Sequence, residues 1–123
     1  MEQLSPQLRQ QLAQFQAVQQ QAQTLAVQRS QMEFQLKDLE RTLELLDGTK
    51  EDAELYKSSG AILVRSEKGK LLEELKEKKD TLELRIKTLQ KQEKRFEGKL
   101  KEMQEDIRKA LSAAGAPGVG SAG

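Results

Sequence analysis

One short stretch near the middle of the chain, Glu54-Leu-Tyr-Lys-Ser-Ser-Gly-Ala-Ile-Leu-Val-Arg-Ser66, decides the fold. It contains two runs of β-forming residues. Ser59-Gly60 separates these runs at the spacing of a two-residue hairpin turn, in which glycine adopts a positive φ without steric cost. Sequence with a helical pattern extends for about forty residues on each side. The chain is therefore predicted to form one β-hairpin between two long helices.

The apolar residues of this hairpin do not keep to one face. Ile62, Leu63 and Val64 are consecutive, so both faces of the second strand are apolar. A two-stranded hairpin by itself is marginally stable in water, and its edges present unpaired N–H and C=O groups. We therefore expect the hairpin to pair with strands of other chains. The apolar residues that form this assembly element are Leu55, Tyr56, Ile62, Leu63 and Val64.

Heptad repeats flank the hairpin on both sides. Helices are predicted over residues 6–47 and 70–111, with residues 48–69 as the linker that contains the hairpin. The heptad frames begin with Leu8 at an a position in the first helix and Leu72 at an a position in the second. In each helix, ten of the twelve a and d positions are apolar. This pattern predicts a mainly α fold, a long antiparallel two-helix coiled coil.

The composition excludes several classes of function. With 21 Lys and Arg against 20 Asp and Glu, the chain is nearly neutral, which argues against a dedicated binder of nucleic acid or anionic membranes. Cys and His are absent, which removes disulfides, thiolate zinc sites and the usual general base. A coiled coil also offers no concave pocket for catalysis. We therefore expect a protein that is not an enzyme and holds no metal or cofactor.

The ends of the chain carry little further information. No apolar run approaches the roughly 20 residues of a membrane span. The first residues lack the basic start and apolar stretch of a signal peptide. A cytoplasmic location is therefore expected. Residues 112–123 are small and rich in glycine, so we expect a disordered tail.

The first half of the first helix is unusual because it carries no charge from Gln10 through Gln28. Leu12 and Ala26 at e positions widen its apolar stripe beyond what a two-stranded seam needs. One interpretation is an open groove for another apolar chain near the helix ends farthest from the hairpin. The alternative is that these residues are simply core, or a solvated face rich in glutamine.

The hairpin and its surroundings resemble a known family. Tyr56-Lys-Ser-Ser-Gly60, then Ile62-Leu-Val-Arg65, then a charged helix with Glu74-Leu-Lys-Glu-Lys78 and Arg95-Phe96, is similar to the beta class of archaeal prefoldin subunits. The resemblance covers essentially residues 8–111, and the hairpin is its most specific part. An alpha-class subunit would need a second hairpin segment between the helices.

The resemblance implies an assembly of two alpha and four beta chains whose hairpins form intersubunit β-barrels. Such an assembly holds unfolded polypeptides without ATP and passes them to a group II chaperonin. The hairpin residues given above would build the barrel. The rival hypothesis is a coiled-coil scaffold or tethering protein with a single specific partner. The client-binding tip that the resemblance implies would be lined by Leu8, Leu12, Phe15, Met103, Ile107 and Leu111.

Overall fold

The computed structural model describes residues 4–113. Its two long helices, with a two-stranded antiparallel sheet between them in sequence, confirm the predicted fold class. The predicted disordered tail lies outside the described residues, except that Ser112 and Ala113 are helical. In chain order, the elements are α1 (Pro6–Asp47), β1 (Leu55–Ser59), β2 (Ile62–Ser66) and α2 (Lys68–Ala113).

Both ends of α1 are capped by specific hydrogen bonds. At its start, the backbone N–H of Leu8 donates to the hydroxyl of Ser5 over 3.1 Å, and Pro6 occupies the first helical position, where its missing N–H costs nothing. At its end, the Lys68 ammonium donates to the backbone carbonyls of Asp47 (3.1 Å) and Thr49 (2.7 Å). A residue at the start of α2 therefore satisfies the Asp47 carbonyl, which has no intrahelical donor, and a carbonyl of the loop that follows α1.

The second helix begins two residues earlier than predicted, at Lys68 rather than residue 70. The N–H of Leu71 already donates to the carbonyl of Glu67 over 3.0 Å. The prediction began the helix just after Gly69, but one glycine costs a helix only about 1 kcal/mol. The contacts of Lys68 with the end of α1 favour the earlier start.

The chain divides into two compact units, and each has its own core. Unit 1 comprises Met1–Gln28 and Leu89–Gly123, and unit 2 comprises Arg29–Thr88. Every a and d position of both predicted heptad frames is buried or half-buried, which confirms those frames. The most buried core residues of unit 1 are Leu8, Val18, Leu89 and Ile107, and those of unit 2 are Leu46 and Ile86.

Within each unit the two helical segments run antiparallel. In unit 1, Gln11 lies beside Ile107, and Leu25 lies beside Phe96. In unit 2, Glu40 forms an ion pair with Lys79 over 3.7 Å, and the end of α1 meets the start of α2 through Lys68. In both units, residue numbers rise along one segment as they fall along its neighbour.

The hairpin turn lies one residue later than predicted. Ser59 pairs with Ile62, so the two turn residues are Gly60 and Ala61 rather than Ser59 and Gly60. Gly60 has a φ of 60°, and within residues 4–113 no residue other than glycine has a positive φ. Glycine with positive φ at the first turn position, followed by a residue with negative φ, is the pattern of a type II′ turn.

Two glycines with equally open surroundings are expected to respond to alanine in opposite directions. A Cβ at Gly60 or Gly98 would meet nothing within 4 Å, so crowding affects neither substitution. Gly60→Ala is expected to destabilise the hairpin by about 1–2 kcal/mol, because an alanine at positive φ is strained. Gly98→Ala is expected to stabilise α2 by up to about 1 kcal/mol, because alanine favours helix.

Hydrogen exchange measured peptide by peptide distinguishes these two effects. Protection of the hairpin amides should fall in Gly60→Ala, and protection of the α2 amides near residue 98 should rise in Gly98→Ala. A change of the same sign in both variants would contradict the backbone conformation described for the turn.

Candidate interaction surfaces

The hairpin has two distinct apolar faces. Residues that pair directly across two antiparallel strands share a face, and faces alternate along each strand. The pairing Lys57↔Val64 therefore defines one face, which also carries Leu55 and Ile62; we call it the Val64 face. The pairing Ser58↔Leu63 defines the other, the Leu63 face, which also carries Tyr56. The five predicted assembly residues thus divide three to two between the faces.

Both hairpin faces are uncovered in this chain. The exposed fraction is 45% for Val64 and 63% for Ile62 on one face, and 54% for Tyr56 and 70% for Leu63 on the other. Leu55 is half-buried. A contiguous apolar surface of this kind on a small protein marks a site of interaction. The hairpin therefore has the character of an interface that another polypeptide covers.

One ion pair joins the hairpin to α2. The Lys57 ammonium donates to a carboxylate oxygen of Glu74 over 2.8 Å. The side chains are 48% and 40% exposed, so this pair contributes little to stability. Lys57 belongs to the Val64 face, so this face carries the ion pair that joins the hairpin to α2.

The same ion pair changes the acid–base behaviour of Glu74. The hydrogen bond and charge of Lys57 lower the pKa of the Glu74 carboxyl below its ordinary value of 4.5. A lowered folded-state pKa means that the carboxylate stays charged until the pH falls below that value. The Glu74 carboxylate is therefore charged throughout the neutral range, as its ion pair with Lys57 requires.

The six residues assigned to the client-binding tip, here called the tip set, all lie in unit 1, but they differ in accessibility. Leu8 and Ile107 are buried in the seam, at 4% and 9% exposed. The half-buried members are Leu12, Phe15, Met103 and Leu111. Met103 and Ile107 line a small cleft together with Gln11, Gln14 and Asp106. The accessible apolar surface of the tip set thus comes from its half-buried members.

The sequence analysis missed a group of exposed apolar residues on the helices. Phe34, Leu45 and Leu84 in unit 2 are 67% to 74% exposed, and Val27 in unit 1 is 50% exposed. All four occupy c or f positions of the heptad frames, which point away from the seam. Attention to apolar residues at these outward positions, rather than at a, d and e alone, would have identified them.

Comparison with known proteins assigns the family. The sequence model of the family described as "Prefoldin subunit" matches residues 9–114. This chain belongs to the prefoldin subunit family. It is 44% identical over 108 residues to the prefoldin subunit beta of Methanothrix thermoacetophila, which covers 88% of this chain and 90% of that one. The corresponding protein of Archaeoglobus fulgidus is 42% identical over 112 residues, covering 91% and 97%.

A solved structure shows the same fold. The prefoldin beta subunit from Thermococcus strain KS-1 matches with a TM-score of 0.81 and 36% identity, over 90% of this chain and 97% of that one. The resemblance to beta-class prefoldin, first seen in the hairpin residues, is thereby confirmed. Prefoldin subunits are chaperones rather than enzymes, so the family gives this chain a role in a chaperone complex.

The described residues contain neither a helix that could span a membrane nor a side-chain cluster that could hold a metal ion. Between residues 4 and 113, no helix has the length and apolar content needed to cross a membrane. The same part of the chain has no cluster of three or more acidic, His or Cys side chains suited to bind a metal ion.

Proposed function

We propose that this prefoldin chain is a subunit of an ATP-independent holdase, which captures unfolded proteins and transfers them to a group II chaperonin. The observation that supports this most directly is the uncovered hairpin, with four apolar side chains 45% to 70% exposed. A hairpin of this kind needs partner strands. Partner strands bring several chains together, and a chaperone that holds its client through several weak contacts needs several copies of its binding surface.

In the proposed assembly, two alpha and four beta chains contribute their hairpins to intersubunit β-barrels. Closing strands into a barrel removes the free edges of each hairpin. It also encloses one apolar face of every hairpin, and neighbouring elements cover the other. The partners of this chain are thus prefoldin alpha subunits, further beta chains, unfolded polypeptides and the chaperonin. Nucleic acid and membranes have no part in the proposal.

Client capture is assigned to the tip set of unit 1. Leu12, Phe15, Met103 and Leu111 are half-buried and offer apolar contact area, while Leu8 and Ile107 hold these surfaces in place from within the seam. Each contact area is small, so a single tip binds weakly. Several tips acting on one unfolded chain raise the effective concentration and retain it. Release follows from competition by the chaperonin, which fits a cytoplasmic complex that uses no nucleotide.

Two measurements test this function. The mass of the purified chain in solution is determined alone and after mixing with a prefoldin alpha subunit, and a hexamer-sized complex is expected on mixing. Light scattering then follows the aggregation of several unrelated unfolded proteins, which the complex should suppress without ATP. A stable two-chain coiled coil that ignores the alpha subunit and binds one folded partner saturably would instead establish the scaffold or tether.

A further inference from the structure

Unit 1 contains a groove that is separate from the tip set. The groove has a volume of about 500 Å³, which is within the range of cavities that hold small ligands. Leu25 and Phe96, both half-buried, supply its apolar base, and the more exposed Gln20, Gln21 and Gln28 lie around them. The groove can therefore accommodate one or two apolar side chains together with the backbone that carries them.

The glutamines give this groove a specific hydrogen-bonding character. Each side-chain amide offers N–H donors and a carbonyl acceptor, the same groups that a peptide bond presents. Among residues 4–113, the side chains of Gln20, Gln21 and Gln28 make no hydrogen bond to another protein group. These amides are thus available to pair with the backbone of an extended polypeptide, whatever its sequence.

The absence of charge limits what the groove accepts. None of its lining residues is charged, and α1 carries no charged residue from Gln10 through Gln28. A charged ligand side chain placed here would lose water without gaining a partner of opposite sign, which is unfavourable. An uncharged segment loses only hydrogen bonds with water that the glutamine amides replace. Complementarity therefore favours a neutral segment over an acidic or basic one.

We propose that this groove binds an extended, uncharged polypeptide segment, which packs one large apolar side chain over Leu25 and Phe96 and pairs its backbone with the glutamine amides. The inference rests on the proposed holdase function and adds a chemical preference to it. An unfolded protein would be held at neutral apolar segments along unit 1 as well as at the tip set. Segments dense in charge would not be held in the groove.

The test uses two double variants of matched spacing. Gln21→Glu with Gln28→Glu places two charges on the groove at positions seven residues apart. Gln16→Glu with Gln23→Glu places two charges seven residues apart on exposed α1 positions that do not line the groove. Both variants are assembled with an alpha subunit. Fluorescence anisotropy then measures binding of a labelled peptide with one Phe flanked by Ser and Gln, and of a second with the same Phe flanked by Lys.

The groove variant is expected to bind the neutral peptide roughly tenfold more weakly than the control variant, because binding buries an unpaired carboxylate. It should also shift its preference toward the Lys-flanked peptide. Equal peptide affinities in the two variants would overturn the inference. A change in the mass of the assembly in the groove variant alone would also overturn it, because the groove would then bind another copy of the chain.

Failure of this inference can be distinguished from failure of the proposed function. If the complex suppresses aggregation and both variants bind the peptides equally, the chaperone function stands and the groove assignment is wrong. If the parent complex neither suppresses aggregation nor binds the neutral peptide, the holdase function itself is contradicted, and the groove inference fails with it.

Discussion

Leu63→Asp is expected to prevent assembly of the prefoldin complex, whereas Leu84→Asp is expected to leave assembly intact. The two leucines are matched in exposure, at 70% and 67%, but Leu63 lies on the hairpin and Leu84 lies on α2. In the proposed barrel, Leu63 becomes buried, which contributes about 1.5–3 kcal/mol at each copy. An aspartate there loses this contribution and adds the cost of burying a charge. Each beta chain repeats the effect.

The readout is the mass of the mixture with the alpha subunit, measured by light scattering at a concentration where the parent chain assembles fully. No hexamer-sized species should form with Leu63→Asp, while the helical content of the chain, followed by far-UV circular dichroism, stays unchanged. Leu84→Asp should assemble as the parent does. A hexamer-sized complex with Leu63→Asp, or loss of assembly in both variants, would refute the assignment of the hairpin as the assembly element.

The sequence was sufficient for the architecture because two strong patterns were present. Heptad periodicity identified every seam position, including the polar a-position residues Arg29 and Lys79. The structure gives both of these half-buried residues ion-pair partners, Glu33 at 2.8 Å and Glu40 at 3.7 Å. Long charged side chains can line a two-stranded seam because their charged ends reach its edge. A strict a and d pattern therefore tolerates such interruptions.

Local details were less predictable, because they depend on hydrogen bonds between residues that are distant in sequence. The contact between Lys68 and the carbonyls at the end of α1 joins residues 19 and 21 positions apart, and no helix-start rule contains it. The hairpin turn was misplaced by one residue because Ser59-Gly60 and Gly60-Ala61 both suit two-residue turns. Only the pairing of Ser59 with Ile62 decides between them.

The interaction surfaces were predictable in composition but not in accessibility. All five hairpin residues and all six tip residues were chosen as apolar side chains at suggestive positions. Heptad periodicity placed Leu8, Phe15 and Ile107 at seam positions, but it could not show that Leu8 and Ile107 are buried there while Phe15 is only half-buried. Nor could it show that Lys57, on the Val64 face, forms an ion pair with Glu74 of α2. Accessibility depends on packing between segments, which periodicity alone does not describe.

Ile86→Ala is expected to lower the free energy of unfolding by about 2–5 kcal/mol, because it leaves a cavity in the seam of unit 2. Ile86 is 7% exposed and occupies an a position. Leu84→Ala, two residues earlier in the same helix, is the matched control, since Leu84 is 67% exposed. Its effect should stay within about 0.5 kcal/mol. Both substitutions introduce alanine, so the gain in helix propensity is small and similar for each.

Urea unfolding followed by circular dichroism, at one fixed protein concentration, measures both variants, because stability of an oligomer depends on concentration. Similar losses of stability for Ile86→Ala and Leu84→Ala would contradict the seam that the structure describes.

Ile86→Ala should still form the hexamer-sized complex under native conditions, since its hairpin is unchanged. Leu63→Asp should show the opposite behaviour, with α2 packed on its seam and no complex formed. If Ile86→Ala and Leu63→Asp instead impaired the stability of the helices and the assembly equally, the hairpin and the seam would form one cooperative structure. Assembly could then not be assigned to the hairpin alone.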